Sequence, residues 1–190
     1  MQLYGIGDLH LSLGVPEKPM DIFHGWENYM QLLEQHWRAM VQPEDTVVLA
    51  GDLSWGMTLP QAKADFAFLE TLPGQKIILK GNHDYWWNSM KKMQQFFADN
   101  GFDSLHILHN NHYAFQQYGI CGTRGWVSIN GETADAKVLA REVQRLEVSI
   151  QSALKEQLTP IVFLHYPPIY GNSYNYEILE VLHRYAITEC

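Results

Sequence analysis

The chain has 190 residues, 46% of them apolar and 18% charged, a composition that can bury one sizeable core and is not that of a disordered chain. Thirteen Lys plus Arg against 21 Asp plus Glu give a net charge of −8 at pH 7, which argues against a broad electrostatic grip on nucleic acid or anionic lipid. No apolar run reaches the ~18 residues of a membrane span, no basic leader precedes the first apolar run, and two cysteines make no disulfide framework, so the expectation is one soluble, cytoplasmic, acidic domain over residues 1–190.

In chain order, residues 3–7 predict a first strand, compact and without polar alternation. Trp26, Tyr29, Met30, Leu33, Trp37, Met40 and Val41 then recur at three- and four-residue steps, the face of a helix. A second buried strand is expected at 46–50. A helix opening near Pro60 follows, with Ala62, Phe66, Leu69 and Leu72 inward and Pro73-Gly74 as its stop. Residues 76–79 predict a third strand, and 88–100 a helix capped by Asn88 and ended by Gly101. Short strands around 105–108, 113–115 and 119–121 read as hairpins. A long helix over 133–158, a buried strand at 161–164 and a helix over 176–185 complete the chain. Strands without alternation read as buried on both faces, and the alternation of strand with helix defines an α/β class with an antiparallel insert or edge.

The polar residues fall where chemistry is expected. Asp8-Leu9-His10 follows the first strand, Gly51-Asp52 the second, Gly81-Asn82-His83-Asp84 the third, and His165 the strand at 161–164. In a parallel sheet the strand C-termini share one edge, and ligands bind in the crevice there. Carboxylates and imidazoles gathered at one point repel or stay unsatisfied without a cation. Oxygen and nitrogen donors without thiolate suit manganese, iron, zinc or cobalt better than calcium or magnesium. Asp52, with two carboxylate oxygens, is the residue suited to bridge two ions and so to clamp an in-line displacement.

This order of blocks resembles the calcineurin-like metallophosphoesterase superfamily, whose pattern runs Asp-x-His, Gly-Asp, Gly-Asn-His-Asp/Glu, a later His, then Gly-His-x-His. Residues 84–88, 121–126 and 164–168 resemble an uncharacterised bacterial branch of it. The resemblance implies a β-sandwich flanked by helices with a di-metal centre at the strand ends. Asp8 and His10 would hold the first metal, Asp52 would bridge, and Asn82 and His165 would hold the second. His83 would stabilise developing charge or protonate the leaving oxygen, oriented by Asp84. The implied activity is a manganese-type phosphatase or phosphodiesterase in which a metal-bridging hydroxide attacks a small phosphorylated substrate. Two departures stand out. Trp55 occupies the place of the tyrosinate ligand of purple acid phosphatases, and the chain reaches Cys190 one strand before Gly-His-x-His is expected. The domain is therefore expected to be C-terminally incomplete. The alternative expectation is a non-catalytic metal-binding or protein-interaction module of the same fold.

Arg124, at a strand end, reads either as a ligand of a substrate phosphoryl oxygen or as a surface partner of an acid. Trp86 and Trp87 read as packing under a loop before pocket wall. His106, His109 and His112 alternate faces in strand-like segments and carry no metal reading.

Overall fold

The computed structural model describes residues 1–126 and 133–190 and has an α/β architecture. Two units divide the chain, Met1–Ile107 and Leu108–Cys190.

In the first unit, β1 (Leu3–Ile6), β2 (Thr46–Leu49), β3 (Gln75–Ile78) and β4 (Leu105–Ile107) form one parallel sheet in sequence order. Register runs Leu3 with Thr46, Thr46 with Gln75 and Lys76 with Leu105. The crossovers are α1 (Tyr29–Met40), α2 (Leu59–Glu70) and α3 (Met90–Asn100). All three helices join one core with the sheet, through Trp37, Phe66, Leu69, Met93 and Phe97 against Val47, Leu49, Ile78 and Ile107. Parallel pairing requires every connection to travel the length of the sheet, so each strand begins at one edge and releases its next residues at the other. That single fact places residues 8, 51 and 79 onward together.

Local chemistry sets the element ends. Thr58 caps α2 through Gln61 N, with Pro60 in the first turn. Gly101 ends α3 in the left-handed region at φ 68°, a conformation a side chain would resist. The N-cap of α3 is Ser89, one residue beyond the expected Asn88, whose Oδ1 instead accepts from Ser89 N.

The second unit has a sheet of β5 (Tyr113–Phe115), β6 (Tyr118–Thr123) and β7 (Thr159–Leu164). β5 and β6 are antiparallel and β6 and β7 parallel. The long α4 (Thr133–Lys155) precedes β7. After it come a small hairpin, β8 (Ile169–Tyr170) with β9 (Ser173–Tyr174), and α5 (Tyr176–Arg184). Leu146, Ile150 and Ala153 of α4 pack with Cys121, Val162, Ile178 and Val181. A side chain on Gly119 of β6 would run into Ala153, so that glycine is what lets helix and strand approach.

Three expectations need correction. The segment near residues 105–108 belongs to no hairpin; β4 extends the parallel sheet, because the turn at Gly101 returns the chain beside β3. β1 and β7 are edge strands with partly exposed residues and are not buried on both faces. The β8–β9 hairpin escaped the sequence reading because strands of two residues carry no periodicity. Among the described residues no helix is long and apolar enough to cross a membrane.

Candidate metal centre

Beyond the last rungs of β1 and β2 the two chains stay together. Asp8 N donates to Gly51 O at 3.0 Å, His10 N to Asp52 O at 2.9 Å, and Leu11 N to Leu53 O at 2.9 Å. Trp55 N returns to Leu11 O at 2.9 Å, and Leu11 and Ser54 form one further bridge. Within this zipped pair of loops Asp8, His10 and Asp52 have φ of 56°, 46° and 51°. Side chains in the left-handed region cost of order 1 kcal/mol each and persist where the surroundings over-determine them. The expected ligands Asp8, His10 and Asp52 all carry that strain, which turns their side chains out of the strand direction.

Asp52 is buried, and both of its oxygens face His83: Oδ1 accepts from the His83 backbone N at 2.7 Å and Oδ2 meets Nδ1 at 2.7 Å. A carboxylate only accepts, so Nδ1 is the donor in that contact and Nε2 is the ring nitrogen left for other partners. His10 Nε2 stands 3.7 Å from Asp52 Oδ2 and 3.7 Å from Asp8 Oδ1. These gaps are too long for hydrogen bonds, but two ligands about 2.1 Å from one ion stand roughly 3–4 Å apart. One ligand atom each from His10, Asp52 and His83 lies within 4.8 Å of the others. Asn82 Nδ2 stands 3.0 Å from His83 Nδ1 and 3.3 Å from Nε2, and with Nδ1 donating to Asp52 only Nε2 could accept from the amide.

The donor set fits a divalent cation. His10 Nδ1 is buried with no hydrogen-bond partner among the described residues, and burial lowers the pKa of the ring against the opposing pull of Asp52 and Asp8. A neutral imidazole beside two carboxylates is a ligand set in waiting. His83 was expected to stay outside the ligands; the geometry also puts it within reach of the same ion.

Asp84 is the hub of the loops. Its buried carboxylate accepts from Asp52 N (2.9 Å), Leu53 N (2.9 Å), Gly81 N (2.7 Å) and Trp86 Nε1 (2.9 Å), with Ser54 N at 3.4 Å. Burial raises its pKa, and the donors from Gly81 and Leu53 oppose the rise. Among the described residues none of these bonds goes to the His83 ring. Asp84 therefore orients His83 through the backbone of Asp52 and Gly81. A Cβ on Gly81 would collide with the Asp52 carboxylate and its backbone nitrogen, so the approach of the two loops requires glycine there.

Sequence reasoning missed Asp65. On α2 it lies on the apolar face with Ala62, Phe66 and Leu69, fully buried, and accepts from Ser54 Oγ and from Leu13 N at 2.8 Å. Burial raises its pKa. An acid in the apolar stripe of a helix was the available signal. Trp86 packs edge-on to Phe66 at 4.9 Å, the packing role expected of it.

In the second unit Thr123 and Leu164 are paired, so Arg124 and His165 leave adjacent strands side by side, and Tyr166 N donates to Arg124 O at 2.8 Å. The Arg124 guanidinium lies 4.7 Å from the Trp126 ring centroid and 3.5 Å from Glu142, while its buried Nε has no hydrogen-bond partner among the described residues. Glu142 also takes Arg145 at 2.5 Å and the Thr123 hydroxyl. The His165 ring stands edge-on to Tyr166 at 5.0 Å. His106 and His112 are engaged by Gln75 and Ser152.

Strained acids and an imidazole at the C-terminal edge of a parallel sheet define an α/β protein with a site suited to metal. The chain belongs to the calcineurin-like phosphoesterase family, which it matches over residues 1–187. Family and site together support a generic phosphoesterase hydrolase that binds divalent metal. A structure described as a protein of unknown function from Aquifex aeolicus is similar, with 18% identity over 85% of this chain and 89% of that one and a TM-score of 0.44. No curated protein matched the chain.

Proposed function

We propose that the protein is a metal-dependent phosphoesterase that hydrolyses a small phosphomonoester or phosphodiester. The observation that carries this reading is the gathering of Asp8, His10, Asp52, Asn82 and His83 at one edge of the first sheet, three of them in strained backbone. Asp8, His10, Asp52 and Asn82 would hold two divalent ions of the manganese, iron or zinc type, with His165 assigned as a further ligand by its motif. Ions held there would lower the pKa of water and offset the charge of the phosphoryl group.

The residues supply the rest. Water oxygen forms the new P–O bond, the ester P–O bond breaks, and the leaving oxygen takes a proton. His83 is the residue for that last transfer, since Asp52 fixes Nδ1–H and leaves Nε2 as the nitrogen that can carry and release a proton. Asp84 sets both loops by their N–H groups. Arg124 is the candidate for a phosphoryl oxygen, supported by a buried Nε that no described residue engages. A net charge of −8 and the acidic centre favour a small substrate over long nucleic acid. Both cysteines are free thiols, in keeping with a cytoplasmic setting.

The test is hydrolysis of a chromogenic phosphomonoester and phosphodiester with Mn²⁺, beside Asp52→Asn and His83→Ala. Metal-dependent turnover that Asp52→Asn abolishes supports the proposal. A protein that binds metal without turning over either ester class would be a binding module instead.

A further inference from the structure

A metal-ligating histidine is ordinarily fixed by a hydrogen bond from its second ring nitrogen to a carboxylate, carbonyl or water. Among the described residues His10 has no such bond: Nε2 faces Asp8 and Asp52, and no side chain or backbone group meets the buried Nδ1. The ring plane is instead met by an aromatic face. Trp55 lies on it, with centroids 4.8 Å apart and planes 22° from parallel. The same indole stands 5.1 Å from the His83 ring. It is itself held from several sides. Its backbone N donates to Leu11 O at 2.9 Å, its Nε1 to Met20 Sδ at 3.2 Å, and Lys18 Nζ reaches its carbonyl at 3.4 Å. Trp26 adds an edge-on contact to His10 at 6.3 Å.

We propose that Trp55 is the positioning residue of the metal centre, its indole face doing for His10 what a hydrogen bond at Nδ1 does elsewhere. A ring that stacks without bonding fixes tilt but leaves rotation in the plane to the ligands. Met20 holds the indole through Nε1 and Lys18 Nζ lies 5.9 Å from its ring centroid, so these two residues set the indole that sets His10. The inference rests on the proposed metal site and is separable from its catalytic part.

The test uses Co²⁺ with the intact chain and its Trp55→Phe and Trp55→Leu variants, reading the dissociation constant and the visible absorption band of bound cobalt. Phe keeps an aromatic face and is expected within about threefold of wild type; Leu keeps bulk without the face and is expected to weaken binding about 10–100-fold with an altered band. Circular dichroism of the metal-free variants checks their folding. A second readout needs no unstable variant: the fluorescence difference between wild type and Trp55→Phe isolates Trp55, and Co²⁺ should quench it at the same concentrations that raise the cobalt band. Wild-type affinity and band in a folded Trp55→Leu, or Trp55 emission indifferent to cobalt, would overturn the proposal. A wild-type chain that takes up no cobalt overturns the metal site and this role together, whereas binding that ignores Trp55 overturns only the role.

Discussion

Asp52 holds His83 at two points, by backbone N–H to Oδ1 and by ring Nδ1 to Oδ2, each at 2.7 Å. The pair links the loop after β2 to the loop after β3 and fixes the tautomer of the one imidazole that the motif assigns to proton transfer. Both oxygens of the expected bridging ligand are thus already shared with a neighbour. His83→Ala should lower turnover about 10²–10⁴-fold, the range for loss of a general acid, with metal content retained. Metal analysis of the purified variant beside its rate separates this from a ligand role, which would cost the metal as well.

Asp84→Asn should be costly although the shapes match. The amide presents N–H groups where the carboxylate received only donors, so at least one of the Asp52, Leu53, Gly81 and Trp86 donors loses its acceptor. Loss of about 2–4 kcal/mol of unfolding free energy is expected, measured by denaturant titration, together with weaker metal binding. Unchanged stability would show that the loops are held by other means.

Gly81→Ala should damage the centre with less effect on the core. Its Cβ would displace the Asp52 carboxylate, so Mn²⁺ affinity should fall at least tenfold while far-ultraviolet circular dichroism stays the same. Wild-type affinity in this variant would mean that the two loops stand further apart than described.

Lys76 gives a pH signature remote from the site. It is fully buried in β3, where Nζ donates to Ser104 Oγ at 2.9 Å and to Leu72 O. Burial lowers its pKa from 10.5 to about 8, with Glu70 pulling the other way. Between pH about 8 and 10.5 the unfolded chain binds the extra proton, so this residue's contribution to stability rises with pH across that window. Below it the folded protein carries a buried ammonium and gains nothing further. Unfolding of wild type and Lys76→Met compared from pH 7 to 10.5 should show the difference shifting in favour of wild type as pH rises. A difference independent of pH would place the Lys76 pKa at its ordinary value.

The site was legible from sequence because parallel strands convert linear order into spatial convergence. Asp8, Asp52 and Asn82 each stand shortly behind a compact apolar run, and parallel pairing of those runs brings them to one edge. What lay beyond reach was how the loops are held. Asp65 and Asp84 act on backbone groups far away in the chain, and no periodicity encodes a carboxylate that receives Leu13 N or Leu53 N. The left-handed φ of His10 and Asp52 was equally hidden: Asp and His are enriched in that region, yet most residues of either type lie outside it. Trp55 was noticed only as a residue unable to ligate iron, and the structure shows the other side of that substitution in its stack on His10. β4 was misplaced because its three residues, Leu105–Ile107, do not distinguish a parallel from an antiparallel partner.

The most direct test is calorimetric titration of the metal-free chain with Mn²⁺, wild type against Asp52→Asn. The account predicts saturable binding by wild type, with two ions per chain, and loss of at least one ion or of affinity by more than tenfold in the variant. Equal stoichiometry and affinity in the two proteins would contradict it.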